Sequence, residues 1–227
     1  MLCAYRARVK PSARTRGGPC NLKLKRLPIV VRIWLLLLVV CATAVVVSFE
    51  RLDVPMAISF WKVGRFLSPL NKAFGTAVIL SLESAVILVL ILARLMRGHI
   101  SRFGEALAIA CGASICAYGI NEDVLKLLFG VPNPAAVMQG ARHAFNFWMG
   151  AGDSSFPSGH MVLAGAFAGV FMRLYRASTW PLSALLLLAA GLLIVGDWHF
   201  LSDVVAGTFL GVSVGILAGE GWVVHST

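Results

Sequence analysis

Apolar residues run along this chain in long blocks, and the polar and charged residues gather between the blocks instead of alternating with them. The first block, Ile29 to Phe49, is long enough as a helix to cross about 30 Å of hydrocarbon. It exceeds a signal-peptide core of about 7–15 residues, and no clear small-x-small cleavage site follows it, so it reads as an uncleaved span. Residues 50–75 mix Glu50, Asp53 and Lys72 with Phe60, Trp61 and Phe66, which predicts an amphipathic segment lying in the outer interface. Further blocks predict spans from Thr76 to Met96, Phe103 to Phe129, Ser158 to Arg173, Trp180 to Gly196 and Ser202 to Gly219. The longest connection, 130–157, carries Pro132, Pro134, Arg142, His143 and several aromatics. With no internal repeat, the pattern predicts an all-α fold: an integral membrane six-helix bundle over residues 28–227, preceded by a basic tail over residues 1–27.

Composition agrees with this reading. The 227 residues are 59% hydrophobic and 13% charged, with mean hydropathy +0.84, against about half apolar and a quarter charged in soluble domains. A net charge of +10 invites a nucleic-acid partner, but the positions of the charges point elsewhere. In the predicted spans, 14 of the 20 Lys and Arg residues fall on one side, including the whole tail together with Arg94, Arg97, Arg102, Arg173 and Arg176. Arg51, Lys62, Arg65, Lys72, Lys126 and Arg142 fall on the other. The Lys/Arg excess marks the cytoplasmic side, which puts both termini in the cytoplasm and makes membrane lipids, not nucleic acid, the partner. Five cysteines show neither a disulfide framework nor metal-ligand spacing and read as small packing residues. Glu83, deep in a span, reads as a carboxyl satisfied against a neighbouring helix, with Ser81 and Ser84 beside it.

Three clusters fall at helix ends on the outer side: Lys126 to Pro134, Phe156 to His160, and His199 to Asp203. In the second, Ser158 suits the N-cap of a span, and Gly159 allows close approach to the first-turn amides, where the helix dipole favours an anion. His160 then stands beside that anion. In the third, His199 and Asp203 lie four apart, on one helical face, where a carboxylate orients an imidazole. Lys126 is a point charge suited to phosphate.

These clusters, in this order, resemble the signature of the type-2 phosphatidic-acid phosphatase (PAP2) family. That signature is a Lys, six residues and Arg-Pro, then Pro-Ser-Gly-His, then Arg, five residues, His, three residues and Asp. The resemblance covers roughly residues 76–219 and implies a metal-independent phosphatase with no cofactor, acting on a lipid phosphate. It implies that His199 attacks phosphorus, that Asp203 orients it, and that His160 protonates the leaving oxygen. Lys126, Ser158 and the Gly159 amide hold the phosphate oxygens in the same scheme. The active site is then periplasmic, on a bacterial inner membrane.

Two positions depart from the signature, with Asn133 and Leu193 where it has arginines. Losing one preorganised donor typically costs about 2.7–4 kcal/mol of transition-state stabilisation. Asn133 retains an uncharged donor, and Arg142, with His143, is the available substitute in the outer loop. Asp197, two residues before His199, adds opposing negative charge. The departures favour the alternative of a lipid- or partner-binding protein that keeps the fold. A transporter would need paired broken helices or further intramembrane polar groups, and Glu83 stands alone.

Overall fold

The structure is a computed structural model and describes residues 29–73, 75–150 and 154–226; the basic tail lies outside them. Its helices are α1 (Ile29–Val47), α2 (Asp53–Ala73), α3 (Thr76–Arg97), α4 (Arg102–Ile120), α5 (Lys126–Phe129), α6 (Pro134–Met138), α7 (Gly159–Leu174), α8 (Thr179–Val195) and α9 (Leu201–Ser226). Two π-helical turns join pairs of them, Ser48–Leu52 between α1 and α2 and Asn121–Leu125 between α4 and α5. Among the described residues the only strand-like pairing is an isolated bridge between Pro132 and Ser154.

Among the described residues, five helical stretches are long and apolar enough to cross a membrane: Ile29–Leu67, Thr76–Arg97, Arg102–Phe129, Arg176–Val195 and Leu201–Val224. The sixth expected span is shorter. Helix α7 has 16 residues, about 24 Å at 1.5 Å per residue. It is apolar because it is the centre of the bundle: Met161, Val162, Leu163, Ala166 and Val170 are all fully buried. Helices α1, α3 and α8 instead turn leucines, valines and isoleucines outward, as a lipid-facing surface requires.

The tightest pairing is between α7 and α9. Small residues let the two backbones meet: a β-carbon on Gly211 would lie 2.5 Å from the Val162 carbonyl oxygen, and one on Gly169 2.7 Å from that of Val212. Close approach through small residues replaces the hydrophobic drive that lipid removes. The pairing fixes the relative height of the two helix starts, and so of the residues just before them. Helix α2 crosses the ends of its neighbours. Asp53 meets the start of α9, and Gly64 packs against the Gly196–Asp197 turn at the end of α8, where a β-carbon would lie 2.5 Å from that of Asp197.

Candidate active site

The second and third clusters meet at one end of the bundle. Ser158 caps α7, its hydroxyl accepting from Met161 N at 3.5 Å, while its own N–H donates to the Asp203 carbonyl at 3.0 Å. This bond ties the two helix starts together. The preceding loop is held by the buried Asn121, whose side-chain amide donates to the Pro157 carbonyl at 3.2 Å. The Phe156–Pro157 bond is cis.

Tied in this way, His160 and His199 face each other, with His160 Nδ1 3.3 Å from His199 Nε2. The other nitrogen of His199, Nδ1, lies 3.5 Å from Asp203 Oδ2. That oxygen also accepts from Phe200 N at 2.9 Å, which fixes the carboxylate in the first turn of α9. Asp203 is fully buried, and the helix start favours its charge. At this distance the carboxylate faces Nδ1 without a hydrogen bond to it; a carboxylate in that place, once closed on Nδ1, orients the ring with Nε2 toward His160.

The first cluster reaches the same end with altered partners. Lys126 pairs with Glu122 at 2.7 Å, one turn earlier. Glu122 in turn lies against the start of α7, its Oε1 3.0 Å from where a β-carbon on Gly159 would be. Asn133 caps α6, its Oδ1 accepting from Ala136 N at 2.8 Å. Leu193 is buried among Met161, Ala168, Leu186 and Val204, while its carbonyl accepts from Trp198 N at 3.0 Å and His199 N at 3.4 Å. The backbone at that position therefore shapes the approach to His199, and its side chain packs in the apolar core at the wall of the cavity beside His160.

Arg142 is exposed and lines a separate cavity of about 470 Å³ with Phe49, Glu50 and His143. The structure does not bring it against the His160–His199 pair. His143 lies between Phe49 and Phe200, with ring centres 4.1 and 4.5 Å away, and 3.6 Å from Asp53 Oδ2. Burial pushes its imidazole below the ordinary value, against the opposing pull of Asp203 and Glu50.

Sequence reading missed two features of this end. Asp53, buried in the structure, accepts from both the amide and the hydroxyl of Ser202. The available signal was an acidic residue on an amphipathic helix with no assigned work. Two cavities also flank Trp198, whose ring centre lies 6.4 Å from that of His160. One, of about 240 Å³, is apolar and lined by Leu67, His160, Met161, Leu192 and Leu193. The other, of about 290 Å³, is mixed, lined by Trp61, Pro134, Ala135 and Trp198 together with Arg65, Asn133 and Asp197. Among the described residues, no group of three His, Cys, Asp or Glu side chains could hold a metal ion.

No curated protein matches this sequence. A solved structure, the transmembrane PAP2-type phosphatidylglycerolphosphate phosphatase from Bacillus subtilis, shares the fold with a TM-score of 0.51 at 15% sequence identity. The likeness covers 87% of this chain and 96% of that one. The model of the PAP2 superfamily matches residues 106–221, just over half of the chain and all three clusters. By that match, the chain belongs to the PAP2 superfamily.

Proposed function

We propose that the protein is a membrane-bound lipid phosphatase working through a phosphohistidine. The observation that carries this reading is the line Asp203–His199–His160, with one carboxylate on Nδ1 of His199 and the second imidazole on Nε2. His199 Nε2 attacks phosphorus as the bond to the leaving oxygen breaks, and His160 in its protonated form supplies that oxygen's proton. Water then attacks the phosphohistidine and loses a proton to His160, which releases phosphate and restores both rings. Ser158, the first-turn amide of Gly159, Lys126 and Asn133 hold the phosphate oxygens; Arg142, the substitute that the outer loop offers for the missing arginines, lines a separate cavity and reaches the phosphate only if that loop moves. The apolar cavity beside His160 receives the start of the lipid chain. In this reading six helices span a bacterial inner membrane, α7 among them, both termini are cytoplasmic, and the site faces the periplasm.

The test is phosphate release by purified, detergent-solubilised protein from a panel of lipid monophosphates and diphosphates, with His199→Ala as control. Release that survives in the mutant sinks the phosphohistidine step.

A second reading is a catalytically reduced family member that binds lipid or a partner protein. It is favoured by Leu193, whose side chain is committed to the core, and by Lys126, whose charge is paired with Glu122. Absence of release from every lipid by folded protein would select it.

A further inference from the structure

The start of α7 is where the helix dipole favours an anion, and the chain sets one of its own anions there. Glu122 lies in the π-helical turn Asn121–Leu125, four residues before Lys126. The N–H of Lys126 donates to the Asn121 carbonyl, and the Asn121 side-chain amide donates to the Pro157 carbonyl at 3.2 Å. These two bonds hold the turn against the loop that leads into α7. In consequence Glu122 Oε1 stands 2.7 Å from Lys126 Nζ and 3.0 Å from the point where a β-carbon on Gly159 would lie. A ring carbon of Tyr118 stands 2.9 Å from the same point and shares that space.

One carboxylate therefore spans the ammonium of Lys126 and the first residue of α7, the two positive poles that the phosphatase reading gives to phosphate. A phosphate oxygen placed between them would have to stand where this carboxylate oxygen stands. The contact is nonetheless loose. The Glu122 side chain keeps 24% exposure and that of Lys126 12%, and Oε1 takes no hydrogen bond in spite of the short distance. A pair four apart on a helix and open to solvent is a weak one. Rotation of the side chain alone frees Lys126, because Asn121 and not Glu122 holds the turn.

We infer that Glu122 is an internal competitor for phosphate: its carboxylate occupies Lys126 and the α7 start while the site is empty, and swings off when phosphate binds. The inference rests on the phosphatase reading above for the roles of Lys126 and Gly159. Substrate and product share the phosphate group, so Glu122 weakens both by the fraction of time the site is closed. Binding that is equal in substrate and transition state lowers KM without raising kcat. Glu122 thus sets KM and the release of product phosphate, and leaves the chemical step to the histidines.

The experiment has a binding arm and a kinetic arm. In the first, protein in uncharged detergent at pH 8 is titrated calorimetrically with inorganic phosphate, a dianion there, and with dimethyl phosphate, a monoanion. Glu122→Gln is expected to tighten phosphate about three- to sixfold, the factor by which a weak surface pair closes a site. Glu122→Ala, which adds no amide donor, tightens it equally, and Lys126→Met abolishes binding in every background. Dimethyl phosphate gains the same factor, because the cost of opening does not depend on what enters, whereas a fixed repulsive charge acts in proportion to the ligand's charge. Unchanged or weaker phosphate binding in Glu122→Ala, a gain that scales with ligand charge, or binding that survives Lys126→Met overturns the competitor.

In the second arm, phosphate release from a lipid monophosphate is followed with inorganic phosphate as inhibitor. KM and the inhibition constant for phosphate are expected to fall by the same factor in Glu122→Gln and Glu122→Ala, with kcat no higher than the parent's. A fall in kcat/KM would instead make Glu122 a positioning residue for Lys126 and overturn the competitor. Tighter phosphate binding in both variants, without release by the parent protein from any lipid, supports the competitor and removes the phosphatase. Release by the parent with phosphate affinity unaltered in both variants does the reverse.

Discussion

Asp53 holds the start of α9 from the far side of the sequence: its carboxylate accepts hydrogen bonds from the N–H and the hydroxyl of Ser202, 149 residues later. An acidic group at a helix start satisfies amides that have no partner within the helix and suits the dipole. His199 lies just before that start and Asp203 just inside it, so whatever fixes Ser202 fixes both. Asp53→Ala leaves two buried donors unmet, and the expected loss is about 1–3 kcal/mol of stability, read as a lower melting temperature in detergent. Phosphate release falls with it, and Asp53→Asn, which keeps one acceptor oxygen, loses less of both. An unaltered melting temperature in Asp53→Ala would mean that α9 is held by its packing on α7 alone.

The two histidines are expected to differ in how they fail. In the proposed mechanism His199→Ala removes the nucleophile, and release is expected to drop to background. His160→Ala removes the proposed proton donor, a role typically worth about 10²–10⁴-fold, and the loss is expected to shrink for a substrate with an acidic leaving group such as p-nitrophenol. Equal losses on both substrates would argue against His160 as the acid.

Restoring the two arginines is expected to give opposite outcomes. Leu193→Arg places a charge among Met161, Leu186 and Val204, and a buried unpaired charge destabilises strongly. The variant is expected to lose expression or melt well below the parent. Asn133→Arg is at the edge of a cavity and sacrifices only the α6 cap, about 1 kcal/mol. There kcat/KM is expected to rise about tenfold, since an added phosphate contact at this position substitutes for a missing one. Unchanged kinetics would place the anion out of reach of position 133.

Asp197 makes stability depend on pH in a direction opposite to an ion-paired carboxylate. Its carboxyl titrates at about 6 in the fold against an ordinary 3.8. Between these values the native protein keeps a proton that the unfolded chain releases, so stability from this group falls as pH rises through the window. Asp197→Asn is therefore expected to melt above the parent at pH 7.5 and to lose that advantage near pH 4. A constant difference across this range would show that the carboxyl is not desolvated.

Most of the helical frame was legible in the sequence. The blocks from Thr76, Phe103, Ser158, Trp180 and Ser202 correspond to helices starting within one residue of those positions. A bilayer makes this possible, because it forces each crossing segment to be apolar and helical whatever its neighbours. Ser158 as the α7 cap was equally legible, since a cap depends only on residues within one turn. The apolar block from Ser158 was read by its composition as a full span. Its apolarity also reflects burial among α4, α8 and α9, and hydropathy alone does not separate the protein core from lipid.

The sequence by itself determined that the protein is built of apolar helices and that its polar clusters lie at helix ends, and it singled out His160 and His199 as candidates for the chemistry. These follow from period, length and side-chain type, which are local. Only the tertiary structure decided that Asp53 reaches Ser202, that Lys126 is taken by Glu122, and that Leu193 packs in the core. Each of these depends on which helices pack together and at what height. That is set by close backbone contact between α7 and α9 and by α2 crossing their ends, and no local pattern encodes it.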